Sequence, residues 1–270
     1  MYLTRHQTAV GSRWAVDGLF LPISFTLGGL LKMSAVQALD LLAKAARSGE
    51  AAGPLLTPVE ADQEVWASGV TYLSSRLARE AESQAKDVYQ KVYAAERPEL
   101  FFKSVGWRVI GHDGPLRIRA DSNWNVPEPE LTLVVNSAGE IVGYTVGNDM
   151  SSRSIEGENP LYLPQAKVYD GCCGIGPGIR LVAAEAMRDL PIQIAIRRGG
   201  VEVFAGQTRS SQIKRRLEDL AAFLGRELAF PRGVFLMTGT GIVPTEAFTL
   251  QSGDRMRIDL AGLVLENTVQ

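Results

Sequence analysis

Hydrophobic and polar positions change rhythm twice along this chain. Near the start, Arg13-Trp14-Ala15-Val16 and Leu19-Phe20-Leu21 read as short strands around a turn. Ser34 then caps a helix that runs through Ala46 and is closed by Gly49. Glu50 to Glu60 mixes Ala, Gly and Pro as a linker would, which sets residues 1–60 apart as a small α/β domain. Trp66 to Tyr72 reads as a strand, and a long amphipathic helix is predicted from Ser74 to Ala95, with a turn at Arg97-Pro98-Glu99. From Leu100-Phe101-Phe102-Lys103 onward the rhythm becomes that of short strands. Apolar runs alternate with turns at Asp113-Gly114, Asn136-Ser137, Gly176-Pro177-Gly178 and Arg198-Gly199-Gly200. One helix interrupts them, Ser211 to Leu224, with Leu217, Leu220, Ala221 and Leu224 on its apolar side. Val234 to Gly241 returns to strand and loop, and Met256 to Leu260 closes the chain's strands. The expectation is an α+β protein, mostly β, with a core sheet or rolled barrel over residues 61–270.

One predicted hairpin carries unusual polar positions. Leu131 to Val135 reads as its first strand, Asn136-Ser137-Ala138-Gly139 as the turn and Glu140 to Val146 as the return. If Val135 pairs with Glu140, Glu130 faces Thr145, Glu128 faces Gly147, and Asp149 falls one diagonal step beyond on the same face. The other face then collects Leu131, Leu133, Val135, Val142, Tyr144 and Val146 as core. A turn one residue longer or shorter would flip this parity. Three carboxylates converging on one spot need a positive charge between them. Oxygen-only donors suit Mg²⁺ or Mn²⁺ before Zn²⁺. The competing reading is a solvated strand edge whose acids discourage aggregation. Lys167 follows shortly after, as an ion-pair partner for the acids or as a functional amine.

The composition narrows the partners. The chain has 270 residues, 46% hydrophobic and 21% charged, with a net charge of -2 and scattered basic residues. That is enough chain for a full core and gives no sign of a nucleic acid or anionic membrane partner. Gly18 to Leu31 is apolar but too short to span a bilayer. The two cysteines, Cys172 and Cys173, are adjacent and poorly placed for a disulfide, so buried thiols in a reduced, cytoplasmic setting are expected. With only His6 and His112 present, neither a Ser–His triad nor a Cys/His metal site fits. Gly174-Ile175-Gly176-Pro177-Gly178 is interrupted by proline and lacks the following helix of a dinucleotide loop.

Assembled in order, several of these segments resemble the fumarylacetoacetate hydrolase family from about Val65 to Glu266. The carriers are Gly69-Val70-Thr71-Tyr72, Pro98-Glu99-Leu100-Phe101-Phe102-Lys103, Pro127-Glu128-Pro129-Glu130-Leu131, the run from Gly143 to Arg153, Gln165-Ala166-Lys167, Gly176-Pro177 and Thr238-Gly239-Thr240. The resemblance implies a mixed β-roll, a homodimer, Mg²⁺ or Mn²⁺ on Glu128, Glu130 and Asp149, and Lys167 as the active-site lysine. Carbon–carbon hydrolases of the family carry a histidine shortly after the Gly-x-x-Tyr motif, where this chain has Leu73-Ser74-Ser75-Arg76. Glu156 stands where many members have glutamine. The run from Ser154 to Tyr169 is more similar to the family's 2-keto-3-deoxy-pentonate dehydratases, acting on arabinonate or xylonate derivatives.

That branch implies a hydro-lyase for a small sugar acid, releasing water and 2,5-dioxopentanoate. Lys167 would take the C3 proton, its pKa lowered by the metal and by partial burial. Glu156 would protonate the departing hydroxide. Arg76, Ser74 and Lys103 would meet the substrate's carboxylate or hydroxyls, and Gly239 and Thr240 would offer an N–H and a hydroxyl. Plainer roles stand beside these: a cap for Ser74, surface cover for Arg76, an ordinary turn at Gly239, a solvated acid at Glu156. The rival activity is a metal-dependent hydrolase or decarboxylase of acylpyruvates or 2,4-diketo acids.

Overall fold

The computed structural model describes residues 1–82 and 86–270. Its largest sheet has eleven strands and carries the acids at its centre. From one edge the order is Ser48–Glu50, Leu19–Phe20, Gly11–Val16, Tyr2–Thr8, Cys173–Arg180, Ile141–Asp149, Pro129–Val135, Val234–Met237, Glu64–Ala67 and Phe101–Val105, with Leu55–Leu56 also on Tyr2–Thr8. A five-stranded sheet runs Val201–Arg209, Pro191–Arg198, Arg255–Leu260, Leu263–Val269, Pro115–Leu116. A third, short ribbon pairs Ser151–Ser152 with Asn125–Val126. Pairing is antiparallel except between Val234–Met237 and Glu64–Ala67, and between Leu263–Val269 and Pro115–Leu116, so the architecture is mixed and mostly β. Both larger sheets feed one core, in which Leu131, Leu133 and Tyr144 share a cluster with Ile192, Ile194 and Ile258. Burying all of these apolar side chains is the main stabilising contribution.

The central hairpin departs from its expected register by two residues. Glu130 pairs with Gly147 and Thr132 with Thr145, where Glu130 was expected opposite Thr145. The turn is one residue longer than predicted, so Val135 meets Ile141, and a one-residue bulge beside Val134 adds the second step. Two odd shifts make an even one, and parity survives. Asp149 N donates to Glu128 O at 2.9 Å, directly across the pair. The predicted core face is buried throughout, and so is the acid face.

Elsewhere local pattern and tertiary context disagree at element ends. Ser34 caps Ala35–Lys44 through a capping box with Gln37. The predicted strand to Tyr72 stops at Ala67: Ser68 N still bonds Met237 O of the neighbouring strand, and Val70 then takes a positive φ of 53°. The helix expected from Ser74 to Ala95 is described as Leu73–Glu82 and Lys86–Ala94; residues 83–85 lie outside the described residues. The late helix begins at Leu217 instead of Ser211. Lys214 N is taken by Thr71 O, and the Arg215 guanidinium reaches the carbonyls of Val92, Ala95 and Glu96, so tertiary bonds override helix propensity there. Tyr2–Thr8, which the sequence did not reveal, pairs with Cys173–Arg180 and joins the first strands to the sheet that holds the acids. No helix among the described residues is long and apolar enough to cross a membrane.

Candidate active site

The acids stand at the open ends of the central strands. Glu128 immediately precedes Pro129–Val135, Glu130 lies within that strand, and Asp149 ends Ile141–Asp149. All three are buried, and one carboxylate oxygen from each lies within 4.8 Å of the others. Lys167, at the end of the Leu163–Lys167 helix, points its Nζ into them. It donates to Glu128 Oε2 at 2.7 Å, Asp149 Oδ2 at 3.2 Å and Ser151 Oγ at 2.6 Å.

Each acid also has an oxygen held from outside the cluster. Glu128 Oε1 accepts from Arg79 and from Arg153, both at 2.9 Å. Asp149 Oδ1 is paired with Lys103. Glu130 Oε2 takes the Gly239 N–H at 2.6 Å. Gly239 is suited to that post, because its φ is +91° and a Cβ would come within 2.1 Å of Thr71 Oγ1. Thr71 in turn donates to Thr238 O at 2.6 Å, which locks the two loops into one wall.

The charges are unevenly matched. Burial works against an ionised Glu128, but Lys167, Arg153 and Arg79 outweigh it and hold the carboxyl below the usual range. Glu130 is pushed the other way: burial, then Asp149 and Glu128, raise it well above that range. For Lys167, burial favours the neutral amine, yet Asp149 and Glu128 prevail and its pKa is raised. The lowering expected from the sequence is therefore absent with these carboxylates as the neighbouring charges. A buried, oxygen-only set with one under-compensated carboxylate is the donor chemistry that a hard divalent cation requires.

The wall around the acids is formed by Ser68, Gly69, Val70, Ser75, Arg79, Glu99, Phe101, Glu156, Leu163, Gly239 and Thr240. It encloses only about 20 Å³, room for about one water. A roomier apolar hollow of about 490 Å³, beside Val36 and Leu39, has no comparable cluster. Glu156 lines the site and is paired with Arg79 at 2.8 Å. Gly239 and Thr240 line it as well, although the Thr240 hydroxyl is engaged by Ile242 N at 3.2 Å.

Three of the expected substrate contacts lie elsewhere. Ser74 Oγ donates to Gly241 O at 3.0 Å, and Arg76 pairs with Glu80 at 3.3 Å and sits over the Tyr93 ring. The helix starts at Leu73, and its inward face is set by Ser75 and Arg79, an i, i+4 pair. Lys103 is fully buried and committed beneath the acids, donating to Met150 O at 3.0 Å and Lys167 O at 2.5 Å. Burial would lower its pKa, but Asp149 raises it, so it is a fixed cation.

The sequence reading also missed Glu99. Its carboxyl packs against Gly69, and burial together with the charge of Glu156 pushes its pKa up to about 7. Period two was the available signal, since Glu99, Phe101 and Lys103 follow one another on one face of an extended segment.

The family described as Fumarylacetoacetate (FAA) hydrolase C-terminal matches residues 64–270. A Haloferax volcanii protein named "Probable 2-keto-3-deoxyxylonate dehydratase" is 48% identical over 216 residues, covering 78% of this chain and 73% of that protein. The "2-dehydro-3-deoxy-D-arabinonate dehydratase" of Saccharolobus solfataricus is 41% identical over 207 residues, covering 74% and 69%. A solved 2-keto-3-deoxy-D-arabinonate dehydratase complexed with magnesium and 2,5-dioxopentanoate superimposes with a TM-score of 0.81 at 31% identity, covering 100% of this chain and 99% of that one.

Proposed function

The chain belongs to the fumarylacetoacetate hydrolase family, and we propose that it is a Mg²⁺-dependent dehydratase converting a 2-keto-3-deoxy-pentonate to 2,5-dioxopentanoate and water. The observation that carries this reading is the buried three-acid cluster with Lys167 upon it, in a cavity whose lining includes no histidine among the described residues. His6 is bound to Gly53 O and Thr4, and His112 accepts from Glu266 N, so neither serves the site. The relatives named as dehydratases support the same substrate class.

Glu128, Glu130 and Asp149 would hold the metal through the oxygens not anchored from outside. When bound, Mg²⁺ supplies Lewis-acid polarisation of a 2-keto oxygen, which acidifies the neighbouring C3–H. Lys167 can release its own proton once another cation shares its carboxylates, and it then accepts the proton from C3. Glu99, rather than the Arg79-paired Glu156, is suited to protonate the leaving C4 hydroxyl, because a carboxyl pushed up to about 7 still carries a proton near neutrality. Loss of water leaves a C3=C4 double bond. Removal of a C5 proton with protonation at C3 gives an enol, and protonation of that enol at C4 gives the aldehyde. Glu156 then orients Arg79, and Gly239 and Thr240 face the substrate's polar end.

The catalytic parts belong to residues 61–270; residues 1–60 form a supporting N-terminal unit that contributes no lining residue. A cytoplasmic homodimer is the setting we assign, in keeping with two buried free thiols. The test is incubation of the purified protein and Mg²⁺ with both 2-keto-3-deoxy-arabinonate and -xylonate. Semialdehyde should form and should stop with chelator. Its absence for every stereoisomer, or pyruvate release from acylpyruvates instead, would overturn the assignment.

A further inference from the structure

Lys103 was expected at the substrate, yet it does not line the cavity. Its ammonium donates to Met150 O and Lys167 O and is ion-paired with Asp149 Oδ1. These partners belong to the two segments that deliver the chemistry. Ile141–Asp149 ends at Asp149, with Met150 next, and Leu163–Lys167 ends at Lys167. The Lys167 carbonyl is one that the helix itself cannot satisfy, and a cation is favoured at that end. With Oδ1 drawn to Lys103, Asp149 turns Oδ2 toward Lys167 Nζ.

We infer that Lys103 is a positioning residue: one buried ammonium selects the oxygen that Asp149 presents to the metal and fixes the backbone from which Lys167 reaches it. The inference rests on the metal reading of the acids. Ligand orientation by such outer partners is a general property of metal sites, and its loss typically weakens affinity 10–100-fold.

The test measures Mn²⁺ binding to Lys103→Met by calorimetry without substrate, with kcat and KM determined separately at saturating metal. Arg198→Met is the control, since it breaks the Arg198–Asp254 pair, neither member of which lines the acid cavity. Lys103→Met is expected to bind Mn²⁺ about 10–100-fold more weakly, with kcat reduced and KM nearly unchanged, while Arg198→Met keeps wild-type Mn²⁺ affinity. Unchanged Mn²⁺ affinity in folded Lys103→Met, or a rise in KM alone, would overturn the inference and restore Lys103 as a substrate contact. If Lys103→Met does not fold, Lys103→Met/Asp149→Asn should recover stability by removing the uncompensated carboxylate; no recovery refutes the coupling. Failure of the wild type to turn over 2-keto-3-deoxy-pentonates would count against the proposed function and leave these binding comparisons intact.

Discussion

Two buried acids of this molecule show opposite solutions to the same problem. Asp254, immediately before Arg255–Leu260 of the five-stranded sheet, is fully buried and meets Arg198 through both oxygens at 2.7 Å, with Gln251 N at 2.9 Å. Its oxygens are met by Arg198, whose only ion pair among the described residues is with Asp254, and by a backbone N–H. Glu130 is as deeply buried, but its nearest charges are two further carboxylates, and one backbone N–H is its anchor. A saturated acid stitches strands together and is finished on folding. A crowded one holds unfavourable free energy that a cation can relieve, so the fold gives up some stability where it binds its ligand.

The largest expected effect strikes the crowded side. Lys167→Met should lower turnover about 10²–10⁴-fold, the span of a lost general base; steady-state assays at saturating Mg²⁺ decide, and near-normal kcat would remove Lys167 from the chemistry. Next comes the saturated side: Arg198→Met leaves the buried Asp254 oxygens short of their donor and should cost roughly 1–3 kcal/mol of unfolding free energy in denaturant titration, with kcat within about twofold of wild type. If it instead impairs turnover, the two regions are not independent. A subtler contrast is Glu130→Gln. Because the Glu130 pKa is raised in the folded chain, its ionised form is unfavourable above the normal carboxyl range. The amide should therefore raise the thermal midpoint at pH 8 in chelator and abolish the stabilisation that Mg²⁺ gives the wild type.

Glu99 yields a pH window. With its pKa raised from 4.5 to about 7, the folded chain keeps a proton that the unfolded chain releases. That stabilisation is complete below about pH 4.5 and is lost as pH rises through about 7. Calorimetry in chelator should show wild type losing stability across this window more steeply than Glu99→Gln; parallel curves would contradict it. The smallest effect is expected for Arg76→Ala, whose side chain pairs with Glu80 away from the cavity. Stability should change by about 0.5 kcal/mol or less, and KM should hold within about twofold.

What the sequence disclosed follows from the range of the forces involved. Period-two alternation put Glu128, Glu130 and Asp149 on one face and Leu131, Leu133 and Tyr144 on the other, because strand geometry is local. The Ser34 cap was legible for the same reason, being a bond between residues three apart. Helix phase was not: choosing Ser75 and Arg79 over Ser74 and Arg76 depends on which face meets Glu128 and Glu156, and those partners come from distant segments. The role of Lys103 was hidden likewise, since its three partners lie 46 or more positions away in sequence. The start of the late helix at Leu217 was set by Thr71 and by carbonyls near Ala95, which no local periodicity encodes.

The register of the central hairpin constrains how this protein can vary. Its longer turn and its bulge beside Val134 are each a one-residue departure, and only their sum keeps the acids together. Deleting one residue from the turn, or smoothing the bulge, would carry Asp149 to the opposite face from Glu130 and turn Val142, Tyr144 and Val146 away from the core. Length changes in this hairpin can therefore be inherited only in compensating pairs. A lineage that altered one alone would lose core packing and the acid cluster in a single step.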